Sequence, residues 1–101
     1  MWMFPYGYTK KLPTEPDYER MAANAEATAL AIKGVHQKNF ETGTIANVIY
    51  EASGSSCDWF YAVHGVVYAF APEVRGTSFQ PSTSEIVPSC EELYAGMLAQ
   101  V

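Results

Sequence analysis

Few side chains in this sequence have the chemistry of a reactive group, and they are scattered along it. Glu73 directly follows Pro72 and precedes Val74 and Arg75. Proline removes a donor from a strand ladder, so Glu73 falls where an extended segment ends or leaves its neighbours. A carboxylate at a strand end can serve as a general base when burial beside a cleft tunes it, although such a carboxylate is more often structural. Arg75, two residues on, projects to the same side of an extended chain, where a structural ion pair is the expected role. Tyr50 carries a phenol that is a neutral donor at physiological pH, suited to orienting a carboxylate or carbonyl; the plainer reading packs its ring and leaves its hydroxyl in water. Cys57 is small and effectively apolar as a free thiol. Cys57 and Cys90 allow one disulfide at most and lack the paired short spacings of a structural zinc site. His36 and His64 have no metal-ligand spacing between them and read as surface or packing residues.

These groups must be held by a small set of elements. Thr14-Glu15-Pro16-Asp17 has the chemistry of a helix start, with Thr14 as cap, Pro16 in the first turn and Asp17 favourable to the dipole. The helix is expected to run to Ile32 or Lys33. It places Tyr18, Met21, Ala25, Thr28 or Ala29, and Ile32 on one stripe, with Gly34 ending it. Thr44 to Tyr50 is β-branched and aromatic enough to predict a strand. Ser53-Gly54-Ser55-Ser56 is turn chemistry, and Ser55 with Asp58 three residues on predicts a capped short helix ending near Gly65. The near-continuous apolar run Val66 to Ala71 predicts a strand buried on both faces. Gly76 to Pro88 reads as loop, and Ser89-Cys90-Glu91-Glu92 as a capping box opening a last helix through Leu93, Met97 and Leu98. Asp58 is assigned to helix-start electrostatics and Trp59 to the core.

The 101 residues suffice for one compact domain, and no repeat, linker or low-complexity tract divides them. Eleven carboxylates against six Lys and Arg give a formal charge of −5, with no basic cluster larger than Lys10-Lys11. Phosphate backbones need concentrated cations, so nucleic acid is not an expected partner. No apolar run reaches the ~18 residues of a membrane span, so no membrane partner is expected. The short apolar stretch Met1 to Pro5 turns at Tyr6-Gly7-Tyr8 and lacks the pattern of a secretory signal.

The segment Ile49-Tyr50-Glu51-Ala52-Ser53-Gly54-Ser55-Ser56-Cys57-Asp58-Trp59-Phe60-Tyr61 resembles a signature of the zinc metallocarboxypeptidases of the pancreatic A/B type. Gly65, Tyr68 and Glu73-Val74-Arg75 follow in the family's order, Pro5-Tyr6-Gly7-Tyr8-Thr9 matches a motif just beyond the family's last zinc-binding histidine, and Ile86-Val87-Pro88 matches again. The resemblance covers essentially the whole chain. It departs in a segment between Tyr61 and Glu73 that is one residue longer, and in a shorter loop from Gly76 to Pro81.

By this resemblance the fold is α/β, the C-terminal portion of a mixed-sheet zinc-carboxypeptidase fold with strands flanked by helices. Residues 1–101 would form the C-terminal part of the catalytic domain. Glu73 matches the catalytic glutamate that activates the zinc-bound water and carries its proton to the leaving amine. Tyr50 matches the mobile tyrosine that closes over bound peptide. Cys57 matches the floor of the side-chain specificity pocket, where enzymes acting on Lys or Arg place an acid; a thiol there implies apolar or aromatic C-terminal residues. The cofactor implied is Zn2+, whose ligands in the family would precede Met1, so this chain supplies no metal ligand. The implied partners are peptide or protein C-termini and the preceding part of the catalytic domain, and the implied location is extracellular. The competing expectation is a non-catalytic fragment, pseudoenzyme or binding module.

Overall fold

A computed structural model describes residues 1–100. The chain runs β1 (Trp2–Phe4), α1 (Asp17–His36), β2 (Thr42–Thr44), α2 (Ile45–Val48), α3 (Ser56–His64), β3 (Ala71–Pro72), a 3-10 turn (Thr83–Glu85) and α4 (Ile86–Ala99). β1 is the middle strand. It pairs in parallel with β2 (Trp2 with Thr42, Phe4 with Thr44) and antiparallel with β3 (Trp2 with Pro72, Met3 with Ala71). The sheet is therefore mixed, as expected.

Successive side chains of a strand point to opposite faces, and β1 uses both. Trp2 and Phe4 join Met21, Ala25, Ile32 and Tyr61 in one cluster, while Met3 packs with Ile45, Cys57 and Ala69 in another. The α1 stripe is Met21, Ala25, Thr28 and Ile32, all fully buried, which decides for Thr28 over Ala29. α4 packs along α1. Gly96 permits the approach, because a Cβ there would meet Ile32 Cδ1 at 3.0 Å and Thr28 Cγ2 at 3.1 Å.

Four expectations are corrected by the surroundings. Thr44 to Tyr50 is not a strand: the sheet pairing stops at Thr44, and Ile45–Val48 turns into α2. Burial of Ile45 and Ala46, and the bond from Ala46 N–H to the Tyr6 carbonyl (3.0 Å), override the β propensity of that stretch. Val66 to Ala71 is paired into the sheet only at its end, since the chain reaches β1 only at Ala71. Val67 and Phe70 pack inward while Tyr68 stays 57% exposed. Trp59 is 51% exposed, and the buried face of α3 is Cys57, Asp58 and Tyr61 instead.

The fourth concerns helix ends. α1 passes Gly34 and closes at Gln37, which takes the left-handed conformation (φ 61°) and donates to the Lys33 carbonyl. Thr14 serves α1 through its carbonyl, which accepts from Asp17 and Tyr18 N–H, while Glu15 Oε2 accepts from Glu19 N–H. α4 starts at Ile86, three residues before the proposed capping box, with Ser82 Oγ accepting from Ser84 N–H just ahead. Pro88 falls in its first turn, where a missing N–H costs nothing. Glu91 is thereby freed to meet His36, and Glu92 to turn inward.

Candidate active site

Glu73 lies one residue past β3, and its backbone is fixed from both directions. Its N–H donates to the Met1 carbonyl (2.9 Å), and its carbonyl accepts from the Met1 nitrogen (2.7 Å). Pro72 ends the strand and Glu73 follows, as the sequence implies. The residue opens onto a cleft of ≈ 500 Å3 whose walls include Met1, Phe40, Arg75, Thr77 and Glu85. Beside it Arg75 reaches Glu85 Oε2 (2.9 Å, from Nε) and Glu92 Oε1 (3.5 Å, from Nη1). Arg75 thus makes the structural ion pairs expected of it.

Cys57 is buried against Met3 and Ala69, in the cluster that also receives Met1 and Ala71. The structure so brings Cys57 beside the strand that delivers Glu73. Burial, and then the neighbouring Asp58 charge, push its thiol above the usual range against a weaker pull from Ser55. The side chain is neutral at physiological pH. Tyr50 stands apart, 69% exposed, in the loop between α2 and α3.

That loop is tied to the turn after β1. Asp58 does not reach back to cap Ser55; its carboxylate accepts Gly7 N–H on both oxygens (2.9 and 3.0 Å) and Tyr8 N–H on Oδ2 (3.0 Å). The buried Gly7 amide and the part-buried Tyr8 amide, which no strand or helix satisfies, find a charged acceptor this way. The Gly7 carbonyl in turn accepts Ala52 N–H at 2.7 Å. Sequence reasoning missed this use of Asp58, and it missed Glu92 as a buried group. The apolar dipeptide Ile86-Val87 ahead of Pro88 was the available signal that α4 starts early enough to turn Glu92 inward.

Among the described residues no three His, Cys, Asp or Glu side chains cluster as a metal site. His36 pairs with Glu91, and His64 meets the Trp59 ring edge-to-face with centroids 4.3 Å apart. The donor set does not fit zinc by itself. Cys57 and Cys90 are both free, the first buried and the second exposed. No helix among the described residues is long and apolar enough to cross a membrane.

Known proteins place this geometry. Rat carboxypeptidase A2 is 39% identical over 98 residues, covering 94% of this chain and 23% of the rat protein. Carboxypeptidase B of Astacus astacus is 37% identical over 101 residues, covering 96% of this chain and 32% of the crayfish protein. Bovine thrombin-activatable fibrinolysis inhibitor, solved in complex with tick carboxypeptidase inhibitor, superposes with a TM-score of 0.89 at 27% identity, over 98% of this chain and 34% of that one. The chain thus spans about a quarter to a third of the length of these proteins. Residues 1–96 match the family model described as zinc carboxypeptidase, and with the mixed sheet and the strand-end Glu73 in place, the chain belongs to the zinc carboxypeptidase family.

Proposed function

We propose that these residues are the C-terminal part of a catalytic domain that hydrolyses the last peptide bond of peptides ending in an apolar or aromatic residue. The observation that carries this reading is Glu73, pinned by its backbone at the end of β3 and open to a cleft. In the proposed reaction its carboxylate accepts a proton from the attacking water and returns it to the amine leaving group. Tyr50 contributes a phenol to the terminal region of the substrate, which its exposure and its place in a loop support. Cys57 offers a neutral floor for an apolar side chain. Zinc would be held by residues outside this chain and would polarise the scissile carbonyl and its attacking water. Peptide C-termini are the proposed partners, together with the remainder of the domain, and the proposed location is extracellular.

The test is Glu73→Gln in a complete, zinc-loaded family domain carrying this chain. The amide keeps the shape but cannot accept a proton, and turnover should fall roughly 10²–10⁴-fold with substrate binding retained. A variant with near-normal turnover would remove Glu73 from the mechanism. That no three-ligand cluster occurs among the described residues supports a second reading for the chain alone, a non-catalytic binding module. One equivalent of bound zinc with hydrolysis of a blocked dipeptide by the isolated chain would overturn it.

A further inference from the structure

The segment that carries both Tyr50 and Cys57 is attached to the turn after β1 at three points. Ala46 N–H donates to the Tyr6 carbonyl (3.0 Å), Ala52 N–H to the Gly7 carbonyl (2.7 Å), and the Asp58 carboxylate takes the Gly7 and Tyr8 amides at 2.9–3.0 Å. Gly7 is at the centre of all this. Its two faces of hydrogen bonding are used in opposite directions, its N–H by Asp58 and its carbonyl by Ala52. Its surroundings are tight, since a Cβ would lie 3.0 Å from the Ala52 carbonyl oxygen and 3.2 Å from Ile45 Cγ2, close enough to push on both. Ala52 is two residues from Tyr50, and among the described residues the loop from Ile49 to Ser55 makes no other bond of its own backbone N–H groups to a distant element.

We infer that Gly7 and Asp58 are positioning residues that set where the Tyr50 loop stands, and through it how tightly substrate is held. The inference rests on the proposed substrate role of Tyr50. Its physical basis is a relay of rigid links. Asp58 belongs to the first turn of α3 and is buried, so its carboxylate is fixed by the helix. A bidentate acceptor fixes the plane of the Gly7 amide, and the Gly7 carbonyl sets the direction in which Ala52 N–H must approach. Tyr50's own side chain stands in solvent, so its position is set by its chain neighbours: Ile49, packed on the Met3 and Ile45 cluster, before it, and the Ala52 tether after it. Loosening the tether leaves Tyr50 chemically intact and enlarges the set of positions it explores. The cost of gathering it onto substrate then falls on binding.

The experiment is a double-mutant cycle in a complete, zinc-loaded family domain carrying this chain. Asp58→Asn presents an amide in place of one carboxylate oxygen and should raise KM for a Phe-ending peptide roughly tenfold, with kcat changed by less than about twofold. Gly7→Ala keeps Asp58 and crowds Ala52 instead, and it should give the same split if Asp58→Asn folds poorly. Tyr50→Phe should raise KM by itself. In the Tyr50→Phe background the KM effect of either clamp variant should largely disappear, because the clamp acts through that side chain. Additive effects, or unchanged KM in both clamp variants, would overturn the clamp while leaving the Tyr50 reading in place. An unchanged KM in Tyr50→Phe alone would remove Tyr50 from substrate binding, and the clamp role with it.

Discussion

The Arg75 guanidinium lies 3.5 Å from the Glu92 carboxylate, which is 1% exposed. Both Glu92 oxygens and Arg75 Nε lack an aligned hydrogen bond, so the contact is a charge pair under a low-dielectric roof. Such a pair adds little compared with apolar packing, but breaking it strands a charge. Arg75→Met should therefore destabilise the chain by about 3–5 kcal/mol, and adding Glu92→Leu should restore most of the loss. Urea unfolding measures both, and equal stability of the single and double variants would contradict the buried-charge account.

How far this was readable beforehand depends on whether an element answers to its own residues or to its neighbours. The α1 stripe was legible because a 3.6-residue period is written into Met21, Ala25, Thr28 and Ile32. α3 and its end at Gly65 were legible because glycine favours the left-handed cap (φ 66°) found there. Residues 44–50 and 66–71 were not, because their β-rich composition says nothing about how briefly each meets β1. Three-residue β1 itself went unread, although Trp2, Met3 and Phe4 are all buried. At the site, the strand end at Pro72-Glu73 was local and readable. The Asp58 clamp joins residues about fifty positions apart, and no local pattern encodes it.

Specificity gives a second prediction. In a complete domain, Cys57→Asp should shift preference from Phe-ending toward Arg-ending peptides. The new carboxylate would pair a buried cation and stand unpaired against an apolar side chain. The ratio of kcat/KM on the two peptides is the readout, and a constant ratio would take Cys57 out of the pocket.

The two thiols should separate cleanly in alkylation. Cys90 is exposed and Cys57 is buried with its thiol pushed up by desolvation and by Asp58. Iodoacetamide at neutral pH should modify Cys90 first and Cys57 only after denaturation. Mass mapping of partly modified chain checks this, and early labelling at Cys57 would contradict the burial of that site.

Alkaline pH offers a fourth test. The Tyr61 hydroxyl donates to Asp17 Oδ2 (3.1 Å), and burial first, then this bond, push its pKa from 10.0 up to about 12. A raised folded-state value means that its contribution is fully present below pH 10 and is lost as pH rises through about 12. Over that window wild type should lose stability relative to Tyr61→Phe, by less than the full two-unit shift would give because the hydroxyl is only part-buried. Parallel stability profiles for the two proteins would refute it.

The order of pairing in the sheet bears on how this fold is reached in time. Trp2 is paired with Thr42 on one side and with Pro72 on the other. During synthesis β1 precedes α1, β2, α2 and α3, and all of them must follow before its β3 edge can close. Loop closures of that length are slow, because the entropy of bringing distant ends together is lost before the contacts repay it. In the interval α1 is the first element of these residues made after Trp2 and Phe4 that can cover them, through Met21, Ala25 and Ile32.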